Sequence, residues 1–279
     1  MLFYHHHSIQ KRNRNEKMHI VPVHSNHTEQ EILRELRLAG GSCRIGFLAK
    51  RLGVSDETIR RNIKMLEHQS LVRKVHGGVL LADDLTLTEQ PYLDRMEKNA
   101  AIKQLLASKV AEMIKDGDSL FLDIGTTTAF VAQALRNHRN LYVVTNSVAA
   151  ANALATRNNN RVFQAGGELR AHDGGAFGAD AIQFVRRFNL QFAVLSVGAI
   201  NAEAGFMLHD IQEADLSREA AARAQTRIVV ADDEKFDRRA PIVVEDPTQF
   251  DILVTNTPPK PAIAEMLVKN EITTVFPDR

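Results

Sequence analysis

Residues 55–78 have the sequence SDETIRRNIKMLEHQSLVRKVHGG, and this stretch decides the fold of the N-terminal third of the chain. Ser55 is a good helix N-cap, and the acidic residues after it suit the positive end of a helix dipole. The aliphatic residues that recur at helical spacing, and therefore share one face, are Ile59, Ile63 and Leu66. The adjacent Arg60 and Arg61 lie off that face, so the stretch predicts an amphipathic helix with a basic outer surface.

The residues on either side of this helix predict a helix-turn-helix motif with a wing. Upstream, residues 45–52 form another short amphipathic pattern, which Gly53 closes. Downstream, residues 71–76 are extended, a Gly-Gly pair turns the chain, and residues 79–81 return as a hairpin. In such a motif the second helix enters the DNA major groove. A solvated basic helix in a small bundle is the alternative, because charge runs usually mark only an exposed surface.

The segments before this motif complete the predicted DNA-binding domain, which we place at residues 28–82. Residues 1–27 show no periodicity and are predicted to be a flexible extension, whose short histidine run lacks metal-ligand spacing. Thr28 and Glu31 form a capping box for a first helix, which a Gly-Gly pair would end. The residues predicted to contact DNA are Ser55, Glu57, Thr58, Arg60, Arg61, Lys64, Arg73, Lys74, His76 and Gly77.

The charge of the chain is unevenly distributed. Residues 1–82 contain 14 lysines and arginines against 7 acidic residues, a net charge of +7. Residues 83–279 contain 21 against 27, a net charge of −6, although the whole chain carries +1. A basic head on an acidic body is typical of a nucleic-acid-binding module attached to a domain with another task.

The composition is that of a globular protein, since 44% of the 279 residues are hydrophobic and 25% are charged. Cys43 is the only cysteine, which excludes a disulfide framework and a cysteine-based metal site. No apolar run approaches the ~18–20 residues that a membrane span needs, and no signal peptide is evident. We therefore expect a cytoplasmic protein with no metal, no cofactor and no membrane contact.

The rest of the chain predicts a mainly parallel α/β domain over residues 97–279, joined to the head by a polar linker at residues 83–96. The short apolar strand candidates are residues 119–122, 141–144, 161–165, 192–197, 228–231 and 252–255. Helical patterns lie between most of them, at residues 127–135, 148–156, 181–188 and 211–224. Strands that alternate with helices in this way predict a parallel sheet that is covered on both faces.

Small and polar residues follow the predicted strands, at the ends where ligands bind in open α/β sheets. The turn at residues 125–128 leaves a strand and opens a helix, so free N–H groups and three threonine hydroxyls face one place. That arrangement suits a phosphate or a carboxylate, although ordinary N-capping by the threonines would also explain it. The turn is neither a Walker A loop nor a GxGxxG fingerprint, so nucleotide hydrolysis and dinucleotide redox chemistry lack their motifs.

A dianion also needs a fixed cation, and two basic residues lie near strand ends. Arg170 and Lys235 could each serve a ligand or form a surface salt bridge. Glu168 and Asp173 could accept hydrogen bonds from ligand hydroxyls or could be solvated carboxylates. The residues predicted to bind an effector are Asp123, Gly125, Thr126, Thr127, Thr128, Thr145, Asn146, Ser147, Gly166, Gly167, Glu168, Arg170 and Lys235.

Several of these motifs resemble one known family. The run TIRRNIKMLEHQSLVRKVHGG resembles the winged helix-turn-helix of DeoR-family bacterial transcription repressors. The runs DIGTTT, VVTNS, AGGELRAHDGG and DDEKF are similar to the effector domain of that family. The resemblance implies a fold related to ribose-5-phosphate isomerase and a domain that senses phosphorylated sugars. The runs GAINAEAGFM and TNTPP are most similar to the glycerol-3-phosphate branch of the family.

Hypotheses from different functional classes follow. The leading one is a transcription regulator, a repressor whose affinity for operator DNA is controlled by a phosphorylated metabolite, with glycerol 3-phosphate as the choice that the resemblance implies. It would act as a homo-oligomer, because one small winged head buries too little surface for operator-level affinity. The alternative is a sugar-phosphate isomerase-like enzyme with a basic appendage, which needs a carboxylate base. The candidate bases Asp123, Glu168 and Asp173 form no recognisable catalytic arrangement. A third hypothesis is a regulator whose second domain recognises another protein.

Overall fold

The computed structural model describes residues 27–39, 41–68, 71–75, 77–81 and 89–278. Nearly all of the predicted N-terminal extension lies outside these residues, as do His76 and the first part of the predicted linker.

The first part of the chain folds as three helices and a small sheet. Its elements are α1 (His27–Leu38), β1 (Ser42–Arg44), α2 (Ile45–Leu52), α3 (Asp56–His68), β2 (Val72–Val75) and β3 (Gly78–Leu81). The strands form an antiparallel sheet in the order β1-β3-β2. Aliphatic side chains from all three helices and from β2 and β3 share one buried cluster. This is the predicted helix-turn-helix with its wing.

Local signals set the helix boundaries in this head. Helix α3 begins after Ser55, whose Oγ accepts a hydrogen bond from the N–H of Thr58 at 3.2 Å. Helix α2 ends where Gly53 adopts a left-handed conformation with a φ of +66°. Helix α1 begins at His27, two residues before the start that an N-cap at Thr28 predicts. Thr28 therefore lies in the first turn of α1 and is not the N-cap that the capping-box pattern predicts.

The second part of the chain alternates helices with strands. Its helices are α4 (Tyr92–Glu97), α5 (Ala100–Met113), α6 (Thr126–Ala134), α7 (Val148–Leu154), α8 (Ala179–Val185), α9 (Ile211–Ala222) and α10 (Pro261–Lys269). Its strands are β4 (Ser119–Leu122), β5 (Tyr142–Thr145), β6 (Arg161–Gln164), β7 (Leu190–Ser196), β8 (Ala199–Asn201), β9 (Gly205–Leu208), β10 (Ala224–Val230), β11 (Ile242–Val243), β12 (Ile252–Val254) and β13 (Thr273–Val275). Short 3₁₀ turns lie at Leu135–Asn137, Asp233–Lys235 and Pro247–Gln249. Within the described residues, no helix has the length and apolar character that crossing a membrane requires.

Seven of these strands form one parallel sheet, in the order β13-β12-β10-β7-β4-β5-β6. The chain enters the middle of the sheet at β4 and adds β5 and β6 on one side. It then crosses back and adds β7, β10, β12 and β13 on the other side. The order therefore reverses between β4 and β7, and ligands in open α/β sheets bind in the crevice beyond such a point.

Helices cover both faces of this sheet, each over its own core. Helices α5, α6 and α7 pack on one face, where Leu106, Val131 and Leu154 are fully buried. Helices α8, α9 and α10 pack on the other face, which buries Val185 and Leu216. Burial of each such side chain stabilises the fold by roughly 1.5–3 kcal/mol. Because both faces are covered, the strands are mainly apolar where they are buried, which is the pattern that predicted a parallel sheet.

Some features of this part were not predicted. A second, antiparallel sheet has the order β11-β9-β8, and β13 extends the large sheet at one edge. These strands have two to four residues, too few to show a period. Strand β10 begins at Ala224, four residues earlier than predicted, because its polar first half still pairs with β7. The predicted linker contains α4, which is short and largely polar.

Candidate nucleic-acid interface and ligand cavity

The outer surface of α3 and the wing form one shallow basic concavity. It is lined by Glu57, Arg60, Arg61, Lys64, Glu67 and Lys74. Four cations and two carboxylates give this surface a net positive charge. The backbone N–H of Lys74 donates to Glu67 Oε1 at 3.0 Å and so joins the wing to the helix. A helix that presents adjacent arginines beside a basic wing has the charge and shape to contact DNA phosphates and base edges.

The other described residues that were predicted to contact DNA do not line this concavity. Ser55 and Thr58 lie at the start of α3, with their hydroxyl oxygens 2.9 Å apart. Arg73 is exposed on β2, and Gly77 turns the wing with a φ of +77°. His76 lies outside the described residues. The structure thus brings five of the ten predicted residues to one surface.

A cavity of about 100 Å³ lies at the carboxyl ends of β4 and β7, where the strand order reverses. It is lined by Glu89, Gln90, Tyr92, Arg95, Lys98, Asn99, Lys103, Ile124, Gly125, Thr126, Thr127, Asp173, Ser196, Val197, Gly198, Leu208, His209, Glu213, Asp232, Glu234, Lys235 and Arg238. Five of these residues are lysine or arginine, and five are aspartate or glutamate. The wall therefore offers both cations and hydrogen-bond acceptors to a ligand.

The turn after β4 presents N–H groups to this cavity. Gly125 has a φ of +153°, and a Cβ there would lie 2.3 Å from Ser196 Oγ, so the turn requires glycine. Gly125, Thr126 and Thr127 line the cavity at the start of α6. In the part of the chain that the structure describes, their N–H groups have no backbone or side-chain acceptor. Free N–H groups at the positive end of a helix dipole favour an anion.

Two lysines, the buried Lys103 and the partly buried Lys235, add positive charge beside this turn. Lys103 extends from α5, and its Nζ donates to the carbonyl oxygens of Arg95 and, at 2.7 Å, of Lys98. Burial lowers the pKa of Lys103 to about 8, an effect that Asp232 opposes and Lys235 reinforces. Burial also lowers the pKa of Lys235. A bound anion would stabilise the charged forms of both lysines.

The acidic side chains of the cavity differ in how many of their oxygens accept hydrogen bonds. Asp232 is 3% exposed, and its Oδ1 has no hydrogen-bond partner among the described residues. Burial alone would raise the pKa of Asp173, but hydrogen bonds from Arg170 and from the N–H of Gly175 outweigh it and lower that pKa. Burial raises the pKa of Glu213, although its Oε1 accepts a hydrogen bond from Arg170.

The structure separates the residues that were predicted to bind an effector into two groups. Those that line the cavity are Gly125, Thr126, Thr127 and Lys235. Those that do not line it are Asp123, Thr128, Thr145, Asn146, Ser147, Gly166, Gly167, Glu168 and Arg170. In the second group, Gly166, Gly167 and Glu168 are exposed to solvent.

Buried polar residues of the second group hold the strand ends together. Thr145 Oγ1 donates to the carbonyl oxygen of Leu122 at 2.6 Å and so joins β5 to β4. Asn146 Oδ1 accepts from the N–H of Ile124 at 2.9 Å. Ser147 Oγ accepts from the first turn of α7 and caps that helix. These side chains position the turn after β4 from behind.

Asp123 lies behind the cavity wall. Its Oδ1 accepts from the N–H of Ile124 at 2.8 Å, and its Oδ2 accepts from Ser217 Oγ at 3.1 Å. Burial and, next, the charge of Glu213 raise the pKa of Asp123 to about 8. This carboxyl is therefore mostly neutral at pH 7 and links the end of β4 to α9.

Arg170 contacts carboxylates of the protein and not the cavity. Its guanidinium pairs with Asp173 and Glu213 and lies 3.7 Å from Asp210 Oδ2. Its Cζ also lies 4.2 Å from the centroid of the Phe177 ring. The positive charge that the sequence seemed to offer a ligand is thus used within the protein.

Much of the cavity wall comes from residues that sequence reasoning did not select. They are Glu89, Gln90, Tyr92, Arg95, Lys98, Asn99, Lys103, Ser196, His209, Glu213, Asp232, Glu234 and Arg238. The sequence contains a signal for one of them, because Lys103 stands in helical register with Leu106 and Val110 on the buried face of α5. A lysine at such a position needs a partner. The other residues meet only through tertiary contacts.

Two family models match this chain. The DeoR-like helix-turn-helix domain matches residues 29–84, and the DeoR C terminal sensor domain matches residues 98–257. The chain is 35% identical over 225 residues to the glycerol-3-phosphate regulon repressor of Escherichia coli K12, which covers 81% of this chain and 88% of that protein. The repressor of the same name in Haemophilus influenzae is 35% identical, over 76% of this chain and 82% of its own.

A third relative and one solved structure complete the comparison. The HTH-type transcriptional repressor CsqR of Escherichia coli K12 is 35% identical, over 85% of this chain and 90% of its own. The structure of ribose 5-phosphate isomerase A from Methanocaldococcus jannaschii aligns with 50% of this chain and 55% of its own, at 14% identity and a TM-score of 0.37.

Proposed function

This chain belongs to the DeoR family of transcriptional repressors, and on that premise we propose that a phosphorylated small metabolite in the cavity controls the affinity of its winged head for operator DNA. The chain is a transcription regulator and not the isomerase-like enzyme that was the alternative hypothesis. We propose glycerol 3-phosphate as the metabolite, because two of the similar repressors are named for the glycerol-3-phosphate regulon.

The observation that carries this proposal is the meeting of a helix N-terminus with one buried and one partly buried lysine. Gly125, Thr126 and Thr127, at the start of α6, line the same cavity as Lys103 and Lys235. A phosphate monoester needs several donors and about two positive charges, and this end of the cavity supplies both. In the absence of an anion the charges of the two lysines repel each other, which lowers the pKa of Lys103. A bound dianion would offset this repulsion.

The same cavity offers an acceptor for the rest of the ligand. Asp232 Oδ1 is buried and has no donor within the described ranges. A buried acceptor without a partner is costly, and a ligand hydroxyl would satisfy it. Glycerol 3-phosphate carries a phosphate at one end and two hydroxyls, which match the two kinds of group on the wall.

The cavity wall also provides a route to the DNA-binding head. Helix α4 and the residues just before it, Glu89 and Gln90, line the cavity, and the chain reaches the end of β3 only a few residues earlier. Lys103 holds the last carbonyl groups of α4 through its Nζ. A phosphate that draws Lys103 toward itself would compete with those carbonyl groups, so we propose α4 as the element that ligand binding displaces.

The head supplies the DNA-binding half of the proposal. We propose that Arg60 and Arg61 contact phosphates or base edges, with Lys64 and Lys74 adding phosphate contacts. Paired heads in a homo-oligomer would match a two-fold operator and supply the surface that a single head lacks.

Replacing Thr127 with leucine tests this proposal. The bulky side chain would fill the anion end of the cavity, while the head would stay intact. With a DNA fragment that the wild-type protein selects from a random pool, gel-shift titration should show normal DNA binding and no response to glycerol 3-phosphate. The matched control is leucine at the exposed Thr273 of β13, which should respond as the wild type does. A Thr127→Leu variant that responds at the wild-type ligand concentration would place the site elsewhere.

A further inference from the structure

A cluster of charged side chains at the cavity wall carries an excess of negative charge. The guanidinium of Arg170 lies among three carboxylates, those of Asp173, Asp210 and Glu213. One positive charge against three negative charges leaves this cluster two charges negative. Asp173 and Glu213 line the cavity, whereas Arg170 does not.

Only one of these two cavity carboxylates has an oxygen that accepts no hydrogen bond from the described residues. Both oxygens of Asp173 accept hydrogen bonds from Arg170, and its Oδ1 also accepts from the N–H of Gly175 at 3.1 Å. Glu213 uses Oε1 for Arg170, and its Oε2 has no donor among the residues that the structure describes. The Glu213 side chain is only 14% exposed, and its backbone N–H is held by Asp210 at the start of α9. The pair with Arg170 therefore holds this side chain, and its Oε2 stays available as an acceptor.

A second observation points to a hydroxylated ligand in the same cavity. Asp232, which follows β10, has a buried oxygen without a donor in the described part of the chain. Both residues, which come from different elements, line the same cavity. Hydroxyl groups donate hydrogen bonds to such oxygens, whereas a ligand carboxylate would bring a third acceptor.

We propose that Glu213 determines the class of phosphate ester that the cavity accepts, by taking a hydrogen bond from a hydroxyl at the end far from the phosphate and by rejecting esters that carry a carboxylate there. The inference rests on the proposed function, because it requires that the other end of the cavity hold a phosphate. Arg170 does not rescue a ligand carboxylate, since three protein carboxylates already surround its guanidinium.

Two ligands of the same skeleton test this inference. Glycerol 3-phosphate and 3-phosphoglycerate both have three carbons, a central hydroxyl and a terminal phosphate, and they differ only in a terminal CH₂OH against a carboxylate. In isothermal titration calorimetry of the full chain at pH 7.5, with phosphate buffers avoided, the wild type should bind glycerol 3-phosphate at least tenfold more tightly. Glu213→Gln keeps the shape and removes the charge, so it should narrow this preference at least tenfold, mainly by a gain in affinity for 3-phosphoglycerate.

The matched control is Asp210→Asn. It removes a carboxylate from the same arginine but lies outside the cavity wall, and asparagine can still cap α9. This variant should keep the wild-type preference. If the preference for glycerol 3-phosphate over 3-phosphoglycerate narrows equally in both variants, the effect is one of diffuse charge and the assignment to Glu213 is overturned. A preference in Glu213→Gln within twofold of that of the wild type would also overturn it. If neither ligand binds the wild type, the proposed function fails and this inference fails with it.

The wild-type protein gives a second readout that does not depend on how a variant folds. The ionisable groups around Glu213 are Glu89, Asp123, Arg170, Asp173, His209 and Asp210. Burial raises the pKa of Glu213, so acidification neutralises it more readily than an ordinary glutamate. Between pH 7.5 and pH 5.5 the affinity for 3-phosphoglycerate should therefore rise relative to that for glycerol 3-phosphate, whose phosphate titrates in the same way. A ratio that stays constant or moves in the other direction over this range would overturn the inference.

Discussion

Replacing Lys103 with methionine should stabilise the ligand-free protein. The pKa of Lys103 is about 8, against about 10.4 for an unperturbed lysine, so the folded environment disfavours the charged form by about 3 kcal/mol. The hydrogen bonds from Nζ to the carbonyl groups at the end of α4 would be lost, which subtracts about 1–2 kcal/mol. We therefore expect the free energy of unfolding at pH 7 to increase by about 1–2 kcal/mol.

The same substitution should weaken ligand binding. Removal of one partner from a buried charge pair costs about 2–5 kcal/mol, which corresponds to a loss of affinity for glycerol 3-phosphate of roughly 30-fold or more. A gain in stability together with a loss of binding is what a functional lysine predicts, because its charge is unfavourable until the anion arrives. A purely structural lysine predicts the opposite change in stability.

The pH dependence of unfolding gives an independent check on Lys103. Its folded pKa lies below its unfolded value, so the unfolded chain binds more protons between about pH 8 and about pH 10.4. The contribution of this lysine to stability therefore rises with pH across that window. The methionine variant should lack this rise.

Urea unfolding at pH 7 and pH 9.5, together with calorimetric titration at pH 7, measures all three effects. Lys269→Met is the matched control, because Lys269 is exposed at the end of α10. It should unfold and bind as the wild type does. A Lys103→Met variant that binds glycerol 3-phosphate with wild-type affinity, or that is less stable than the wild type at pH 7, would show that Lys103 does not hold the phosphate.

Further substitutions test other parts of the structure. The pKa of Asp123 is raised to about 8, so the wild type loses stability as pH rises from about 4 to about 8. Asp123→Asn should lack that loss and resist urea better at pH 8, with an advantage that shrinks toward pH 4. Gly125→Ala should lower the free energy of unfolding by about 1–3 kcal/mol, because its Cβ would lie 2.3 Å from Ser196 Oγ. Alanine at both Arg60 and Arg61 should reduce operator affinity in gel-shift titrations, by about 1–3 kcal/mol for each base contact.

Each of these expectations has a contrary outcome. An Asp123→Asn variant with the wild-type dependence of stability on pH would show that the carboxyl of Asp123 does not cause the loss of stability between about pH 4 and about pH 8. Wild-type stability in Gly125→Ala would show that the turn after β4 can relax. For the arginine pair, alanine at the exposed Arg157 controls for lost surface charge, and wild-type operator affinity in the double variant would end the assignment of α3 to DNA.

The sequence predicts the head of this protein well because its signals are local. The N-cap at Ser55 and the spacing of Ile59 and Ile63 act within one helix, and the Gly-Gly pair acts within one turn. The parallel sheet is also predictable, because strands covered on both faces are apolar throughout. The turn at Gly125 is predictable from local sequence too, because an apolar strand leads there directly into a helix.

The rest of the cavity could not be predicted because it depends on contacts between distant segments. Arg170 looks available in sequence, but Glu213, which pairs with it, comes from a helix 43 residues later. Helix α4 forms part of the cavity wall, but it is too short and polar to show a helical period. Its sequence therefore resembles that of a linker. Lys103 was the one residue whose position on an apolar helix face could have revealed it.

Control of DNA binding by the metabolite can be tested directly. The affinity for glycerol 3-phosphate is measured for the free protein and for the same protein saturated with operator DNA. If the metabolite in the cavity controls the head, the two affinities must differ, and the factor must equal the one by which the metabolite changes operator affinity. We expect equal and substantial factors for the wild type and no coupling in the Thr127→Leu variant. Tight binding of the metabolite with the same affinity in the free and the operator-bound protein would contradict this expectation.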